Sequence, residues 1–283
     1  MRTNQASKLQ WKPDRYRADQ RTIQGEIMTS QSEGYIPVIK YGTNTDIDTG
    51  AVPETVWAAG GLYVWPTAVS AFTFSSSSGN DTALGSGVQE VTVEGIRLID
   101  GVYTFTRETC DTDGGNTVTS ADADWWRIFR AYGGAVGAGG ENAGTISFTI
   151  DSKVVATISI DPDSLDGEGQ TLQLVYTVYE KAKYKSYFTG YSLRAGKEAT
   201  NNANIQFKIR HRVPGGCWRT HRKVDVQTLS GPEIVLYERR DWKEVAAGED
   251  WEVLVTSTSK SDVTAAGTMH FNYEHEMHRL VRT

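Results

Sequence analysis

The sequence predicts an all-β protein: one or two antiparallel β-sandwich domains, jelly-roll or Ig-like, behind an extended N-terminal arm. Two observations carry this. Period-2 alternation recurs along 283 residues, as in Val88, Val91 and Val93 or Thr145-Ile146-Ser147-Phe148-Thr149-Ile150. Such alternation places successive side chains on opposite faces of a pleated strand. Gly, Ser and Asn/Asp turns then punctuate the strands, as at Asn44-Thr45-Asp46-Ile47-Asp48-Thr49-Gly50, Gly60-Gly61 and Ser75–Asp81. Turn signals about every 8–12 residues are the pattern of a sandwich or barrel.

Taken in order, residues 1–33 lack sustained periodicity and form a polar arm with Trp11, Tyr16, Ile23, Ile27 and Met28 as scattered anchors. Six basic and four acidic side chains give it a net positive charge in a chain of net −6. Such a segment cannot build its own core. Residues 34–150 read as a first β-domain, with strands near 35–41, 62–65, 69–76, 88–96, 101–108, 125–132 and 145–151. The glycine run Gly133–Gly140 follows no dinucleotide pattern, because no helix-period segment succeeds it; a flexible or tightly turned loop is expected. Residues 151–283 read as a second sandwich, or as the continuation of one elongated sandwich. Its strands fall near 153–160, 171–179, 184–194, 204–213, 217–226, 233–240, 250–257 and 266–276.

Composition narrows the function. A net charge of −6 and a pI near 5.5 argue against direct nucleic-acid binding, which needs a basic face. No apolar stretch approaches the ~20 residues of a membrane span, and no apolar h-region opens the sequence, so a product made in a cytoplasm is expected. Cys110 and Cys217 make no disulfide framework and are expected as free thiols near strand ends.

Several clusters invite chemistry. His270, Glu274 and His278 share one face of a strand, but each step is about 13 Å, too long for one metal, and His275 faces the other way. The Asp46/Asp48, Asp111/Asp113 and Asp122/Asp124 pairs lack EF-hand spacing and suit Asx turns. Arg210-His211-Arg212, Arg219-Thr220-His221-Arg222-Lys223 and Arg239-Arg240 would form a basic stripe if hairpins aligned them; salt-bridged strand faces are the simpler expectation. Trp57, Trp65, Trp125 and Trp126 would serve a sugar platform if exposed, and core packing otherwise. No nucleophile elbow or zinc-protease motif occurs, so no catalytic residue, cofactor or metal is expected.

Beside this, Asn44–Gly50, Val56-Trp57, Gly60-Gly61-Leu62-Tyr63-Val64-Trp65-Pro66, Asp81-Thr82-Ala83-Leu84-Gly85-Ser86-Gly87, Val91–Gly95 and Phe129-Arg130-Ala131-Tyr132 with Asn142–Ile146 resemble tailed-bacteriophage virion structural proteins. The likeness is strongest over 41–150 and weaker through Val175–Val178 and Arg212–Gly216. It implies a non-enzymatic virion component assembled in the host cytoplasm, with head decoration (cement) as the leading role. A neck, tail or fibre part is the neighbouring alternative, and a carbohydrate-binding adhesin module or a glycan hydrolase the alternatives of other classes. Expected partners are further copies of the chain, as a trimer, and a major capsid or other virion protein. Trp11, Arg15, Tyr16, Arg17 and Arg21 of the arm are the expected assembly contacts.

Overall fold

β-Branched and aromatic residues fit a half-buried pleated surface, and the chain places them in seventeen strands among the described residues. The computed structural model describes residues 35–50, 52–160, 168–197, 203–228, 234–238, 243–258 and 263–275. The arm and its five expected contact residues, Arg239, Arg240 and His278 lie outside them.

In chain order the first strands are β1 (Tyr35–Ile47), β2 (Glu54–Thr55), β3 (Thr73–Ser76), β4 (Glu90–Ile99), β5 (Val102–Asp111) and β6 (Val118–Thr119). Next come β7 (Trp125–Gly133), β8 (Ile146–Ile150), β9 (Lys153–Ile158), β10 (Val175–Thr177), β11 (Tyr184–Lys197) and β12 (Ala203–Arg212). The last are β13 (Arg219–Thr228), β14 (Ile234–Glu238), β15 (Lys243–Val245), β16 (Asp250–Ser257) and β17 (Val263–His275). Most of the long predicted strands are present, but 171–179 contributes only the three residues of β10 and 69–76 only the four of β3. Residues 62–65 are not a strand, and the short β2, β6 and β15 carry too few residues to show a period.

Four antiparallel sheets result. Their orders are β1-β17-β11-β14 with β15 on β11, β10-β16-β12-β13 with β2 on β16, β6-β3-β8-β9, and β5-β4-β7. They stand as a propeller-like ring of four blades rather than the plain sandwich expected. Alternation reports that a strand face is covered but not which sheet covers it, so the pattern could not distinguish these arrangements. The division at 150/151 also fails to match the sheets. It falls inside the β8–β9 hairpin, where Ile150 pairs Lys153. β1, from the first half, pairs with β17 along its length from Tyr35↔Glu274 to Ile47↔Val263.

Two apolar clusters hold the blades together. One joins Leu193, Ala195, Met269 and Phe271 to Ile205, Phe207, Ile209, Trp251 and Val253, bringing the first two sheets together. The other joins Phe72, Phe74, Phe148 and Ile150 to Val91, Val93, Trp125 and Ala131 of the remaining two. Ile205, Phe207 and Ile209 alternate inward as predicted. Leu174, Tyr176 and Val178 enter the first cluster while Val175 enters the second, so this segment is covered on both faces.

The glycine run is a packed loop. Gly137 donates its N–H to the Gly87 carbonyl at 2.8 Å and Gly139 to Ser86 at 2.7 Å. A Cβ at Gly137 would lie 2.1 Å from the Gly85 carbonyl oxygen, so only glycine fits. Asp81 fixes the facing loop. Its carboxylate accepts Val88 N–H (2.9 Å), Ala143 N–H (2.8 Å), Gly144 N–H (2.9 Å) and the Ser76 hydroxyl (2.5 Å).

Candidate functional site

The charged residues of β12 and β16 begin where alternation would put them, on the face of the sheet opposite Trp251, Val253 and Val255. At the end that carries Asp250 and Glu252, that face is not in water. Tyr63, Trp65 and Trp218 lie over it, with Trp65 and Trp218 ring centroids 5.6 Å apart. Arg127 of β7 reaches in from the neighbouring sheet and donates two hydrogen bonds to Asp250, Nε–Oδ1 at 3.3 Å and Nη2–Oδ2 at 3.2 Å. It also donates to the carbonyls of Pro66 (3.1 Å) and Trp126 (2.8 Å). Asp250 further accepts Thr177 Oγ1 at 2.5 Å and Arg212 Nε at 3.0 Å. Beside it Glu252, fully buried, accepts Trp65 Nε1 at 2.9 Å and pairs with Arg210. Burial raises the Glu252 carboxyl above its usual range, partly countered by Arg210. Arg210 and Arg212 each lie 4.5 Å from the Trp218 ring centroid, and Arg127 lies 3.9 Å from that of Trp126.

Of the expected basic stripe, Arg219, Arg222 and Lys223 of β13 are exposed, while the β12 members are paired, Arg210 with Glu252 and Arg212 with Asp250. His211 points the other way, onto Trp251, with ring centroids 4.7 Å apart at 17°. Its Nε2 lies 2.8 Å from Lys243 Nζ and its Nδ1 2.6 Å from Glu249 Oε1. Desolvation, with Lys243 and Arg219 nearby, lowers its pKa to about 4. The imidazole is thus neutral near pH 7, with Nε2 placed to accept from Lys243, while Glu249 Oε1 lies close to Nδ1 without a hydrogen-bond partner among the described residues. Burial also lowers Lys243 and raises Glu249, and the Lys243–His211 contact ties β15 to β12.

The other candidates are structural in position. Trp57, Trp65 and Trp125 are buried and Trp126 is half-buried, so none presents a sugar platform. Asp122 and Asp124 grip Arg97, at 2.5 Å from Asp122 and 3.0 Å from Asp124 Oδ2. Asp46 N–H bonds Asn44 Oδ1 at 3.1 Å, an Asx turn, and Asp48 N–H bonds Glu54 at 3.0 Å. His270, Glu274 and His275 lie on β17, where Glu274 accepts the Tyr35 hydroxyl at 2.9 Å. Among the described residues, no group of three or more His, Cys, Asp or Glu is placed to hold a metal. Both thiols are free among them; Cys217 is exposed, whereas Cys110 packs against the second cluster and burial pushes it up to about 12.

Sequence reading missed Lys40. It lies on β1 in phase with Ile36 and Val38, which pack against the first cluster, and is 6% exposed. Its ammonium donates to the Phe129 carbonyl. A cavity of about 240 Å³ lies beside it, walled by Phe105, Phe129 and Tyr179 and edged by Glu94 and Arg130. Glu94 is gripped by Arg107 at 2.5 Å and Arg130 at 3.0 Å. A lysine in the apolar phase of a strand was the available signal.

No protein-family model matches the chain, and no curated protein does. Among solved structures, it is similar to a structure of the infectious bursal disease virus Gx strain, at 10% identity and a TM-score of 0.25 over 89% of this chain and 77% of that one. The Gt strain structure gives 11% identity and a TM-score of 0.21 over 89% and 82%. The VP2 subviral particle of the same virus gives 12% identity and a TM-score of 0.23 over 90% and 78%. At such TM-scores the chain paths do not superpose, and these likenesses establish no family for the chain.

Proposed function

We propose that this chain is a non-enzymatic structural protein of a tailed-phage virion, with head decoration (cement) as its specific role. The resemblance of residues 41–150 to such proteins supports the reading. The observation that carries it is the disposition of charge. Arg127 and Asp250, among the most deeply placed ionic groups described, join blade to blade, and Arg210 and Glu252 pair across neighbouring strands of one blade beside them, instead of lining an open cleft. The result is a braced body suited to presenting surfaces.

One such surface is the edge of the β5-β4-β7 sheet. β5 ends that sheet, and among the described residues Glu180 joins its outer side, donating N–H to the Tyr103 carbonyl at 2.7 Å. Ile99, Val102 and Phe105 are exposed along it. A sheet edge of this kind accepts an added strand. The partners in this reading are copies of the chain, as a trimer, and a major capsid or other virion protein; neither nucleic acid nor membrane is contacted directly.

The test combines deletion of residues 1–33, mass measurement in solution and labelling of intact particles. The truncated body should keep its melting transition and lose particle binding. A monomer at high concentration would remove the trimer, and label confined to the tail would replace decoration with a neck, tail or fibre role.

One observation favours a second reading, a carbohydrate-binding module. Thr43, Thr45, Thr145, Ser147, Thr157 and Ser159 line a groove of about 770 Å³, and buried Thr157 Oγ1 has no hydrogen-bond partner among the described residues. Hydroxyl-rich walls suit sugar hydroxyls, and a glycan array separates this reading from the first.

A further inference from the structure

Lys40 is a buried cation short of partners. An ammonium carries three donors, and buried charges are ordinarily paired. Among the described residues Lys40 makes one hydrogen bond, to the neutral Phe129 carbonyl, and no ion pair. The nearest acidic influence is Glu94, which is already held by Arg107 and Arg130. The groups facing this point are Lys40 from β1, Arg107 from β5, Arg130 from β7, Glu94 from β4 and the phenol of Tyr179. Three of them are cationic side chains and one is a carboxylate, so the locality lacks negative charge.

The cavity supplies room for it. Its volume of about 240 Å³ is a little below the roughly 300–1,000 Å³ of drug-sized sites. Phe105, Phe129 and Tyr179 form a continuous aromatic wall, with Phe105–Tyr179 centroids at 5.3 Å and Phe105–Phe129 at 6.1 Å. Phe105 is 40% exposed, which leaves the wall reachable from solvent.

We propose that this cavity binds a carboxylate carried on a short aromatic body, the carboxylate meeting Lys40 and Arg130 and the body lying against Phe105, Phe129 and Tyr179. The geometry gives each part of such a ligand a complement: unfilled donors at the floor, a half-exposed guanidinium at the rim, aromatic faces between. Burial and Arg130 lower Lys40 to about 7 in the empty cavity. A bound carboxylate restores the charged form, so binding takes up a proton and weakens by up to about tenfold per pH unit above that value. The ligand is either a free acid or the C-terminal carboxylate of a partner protein, and the site does not depend on the virion reading.

The experiment titrates the full chain at pH 6.5 with 3-phenylpropionate, with its uncharged amide, and with a short peptide ending in Phe as free acid or amidated. Calorimetry and the NMR shift of the Lys40 ε-carbon report binding. The expected result is saturation by at least one carboxylate, with the amide forms and Lys40→Met each weaker by about tenfold or more, a difference of ~1.4 kcal/mol per tenfold. Arg130→Gln, at the exposed rim, should weaken binding without lowering the melting temperature much. Preference for the peptide acid identifies a protein C-terminus, and preference for 3-phenylpropionate a free acid. Absence of binding by both acids, equal binding of acid and amide, or unchanged binding by Lys40→Met would each overturn the proposal.

Discussion

Arg127 of β7 and Asp250 of β16, 123 residues apart in sequence, meet as a two-point ion pair with both side chains at 4% exposure or less. The contact joins the β5-β4-β7 blade to the β10-β16-β12-β13 blade. Burying either charge alone is costly, since desolvation in the interior takes several kcal/mol per ion. The pair is tolerated because the carboxylate also accepts from Thr177 and Arg212, and the guanidinium also donates to two carbonyls, so four of its five N–H groups are bonded.

Removing one member should therefore be worse than removing both. Asp250→Asn leaves Arg127 buried beside a neutral amide and should lower unfolding stability by about 3–5 kcal/mol. Arg127→Met together with Asp250→Asn should cost less than the sum of the single changes. Urea unfolding of the three variants measures the coupling, and strict additivity would mean the two groups do not interact.

Lys40 sets a pH dependence of its own. Its pKa falls from 10.5 in the unfolded chain to about 7 in the fold, so between those values the unfolded state binds more protons. Its penalty is complete below about pH 7 and fades as pH rises toward 10. Lys40→Met should consequently be more stable than the parent at pH 6, by several kcal/mol at about 1.4 per pKa unit. The gap should narrow to about 1.4 kcal/mol by pH 9.5 and close only above about pH 10.5, as followed by denaturant titrations across that range.

His211 works in the acid range. Its lowered pKa of about 4 means that stability from the neutral imidazole is lost as pH falls from about 6.5 toward 4. The raised carboxyl of Glu249 pulls in the opposite direction, taking up a proton in the fold above its unfolded pKa. His211→Phe keeps an aromatic ring over Trp251 and removes the titration. Its melting temperature should fall less steeply between pH 6.5 and 4, and it should sit about 1–3 kcal/mol below the parent at pH 7, where the buried Lys243 ammonium loses its acceptor.

Asp81→Asn exchanges one of two accepting oxygens for an NH₂ group facing donors. Whichever way the amide turns, two of the four groups it now serves lose an acceptor. A loss of at least about 2 kcal/mol is expected, since hydrogen bonds to a charged group contribute about 1.5–3 kcal/mol each. Asp113→Asn, at an exposed turn, should stay within about 0.5 kcal/mol. Hydrogen exchange at Val88, Ala143 and Gly144 would show whether the loop has opened.

By itself the sequence determined the class of the fold and nearly every long strand, because period-2 alternation and turn chemistry are local consequences of the pleat and of Gly, Asn and Asp backbone preferences. It also determined which residues are inward on β12, and that the glycine run is a turn rather than a phosphate cradle. Only the tertiary structure decided that β1 closes against β17, that residues 34–150 and 151–283 do not divide the sheets, and that four blades take the place of a sandwich. Pairing partners more than two hundred residues apart leave no local mark. Burial of the polar face was decided there too. Alternation sends Asp250, Glu252, Arg210 and Arg212 to the outside of their sheet, and nothing near them in sequence says that Trp65 and Arg127 will cover that outside. Lys40 is the intermediate case: its phase with Ile36 and Val38 is visible in the chain, but the cavity that gives the phase its meaning exists only once β4, β5 and β7 have packed against β1.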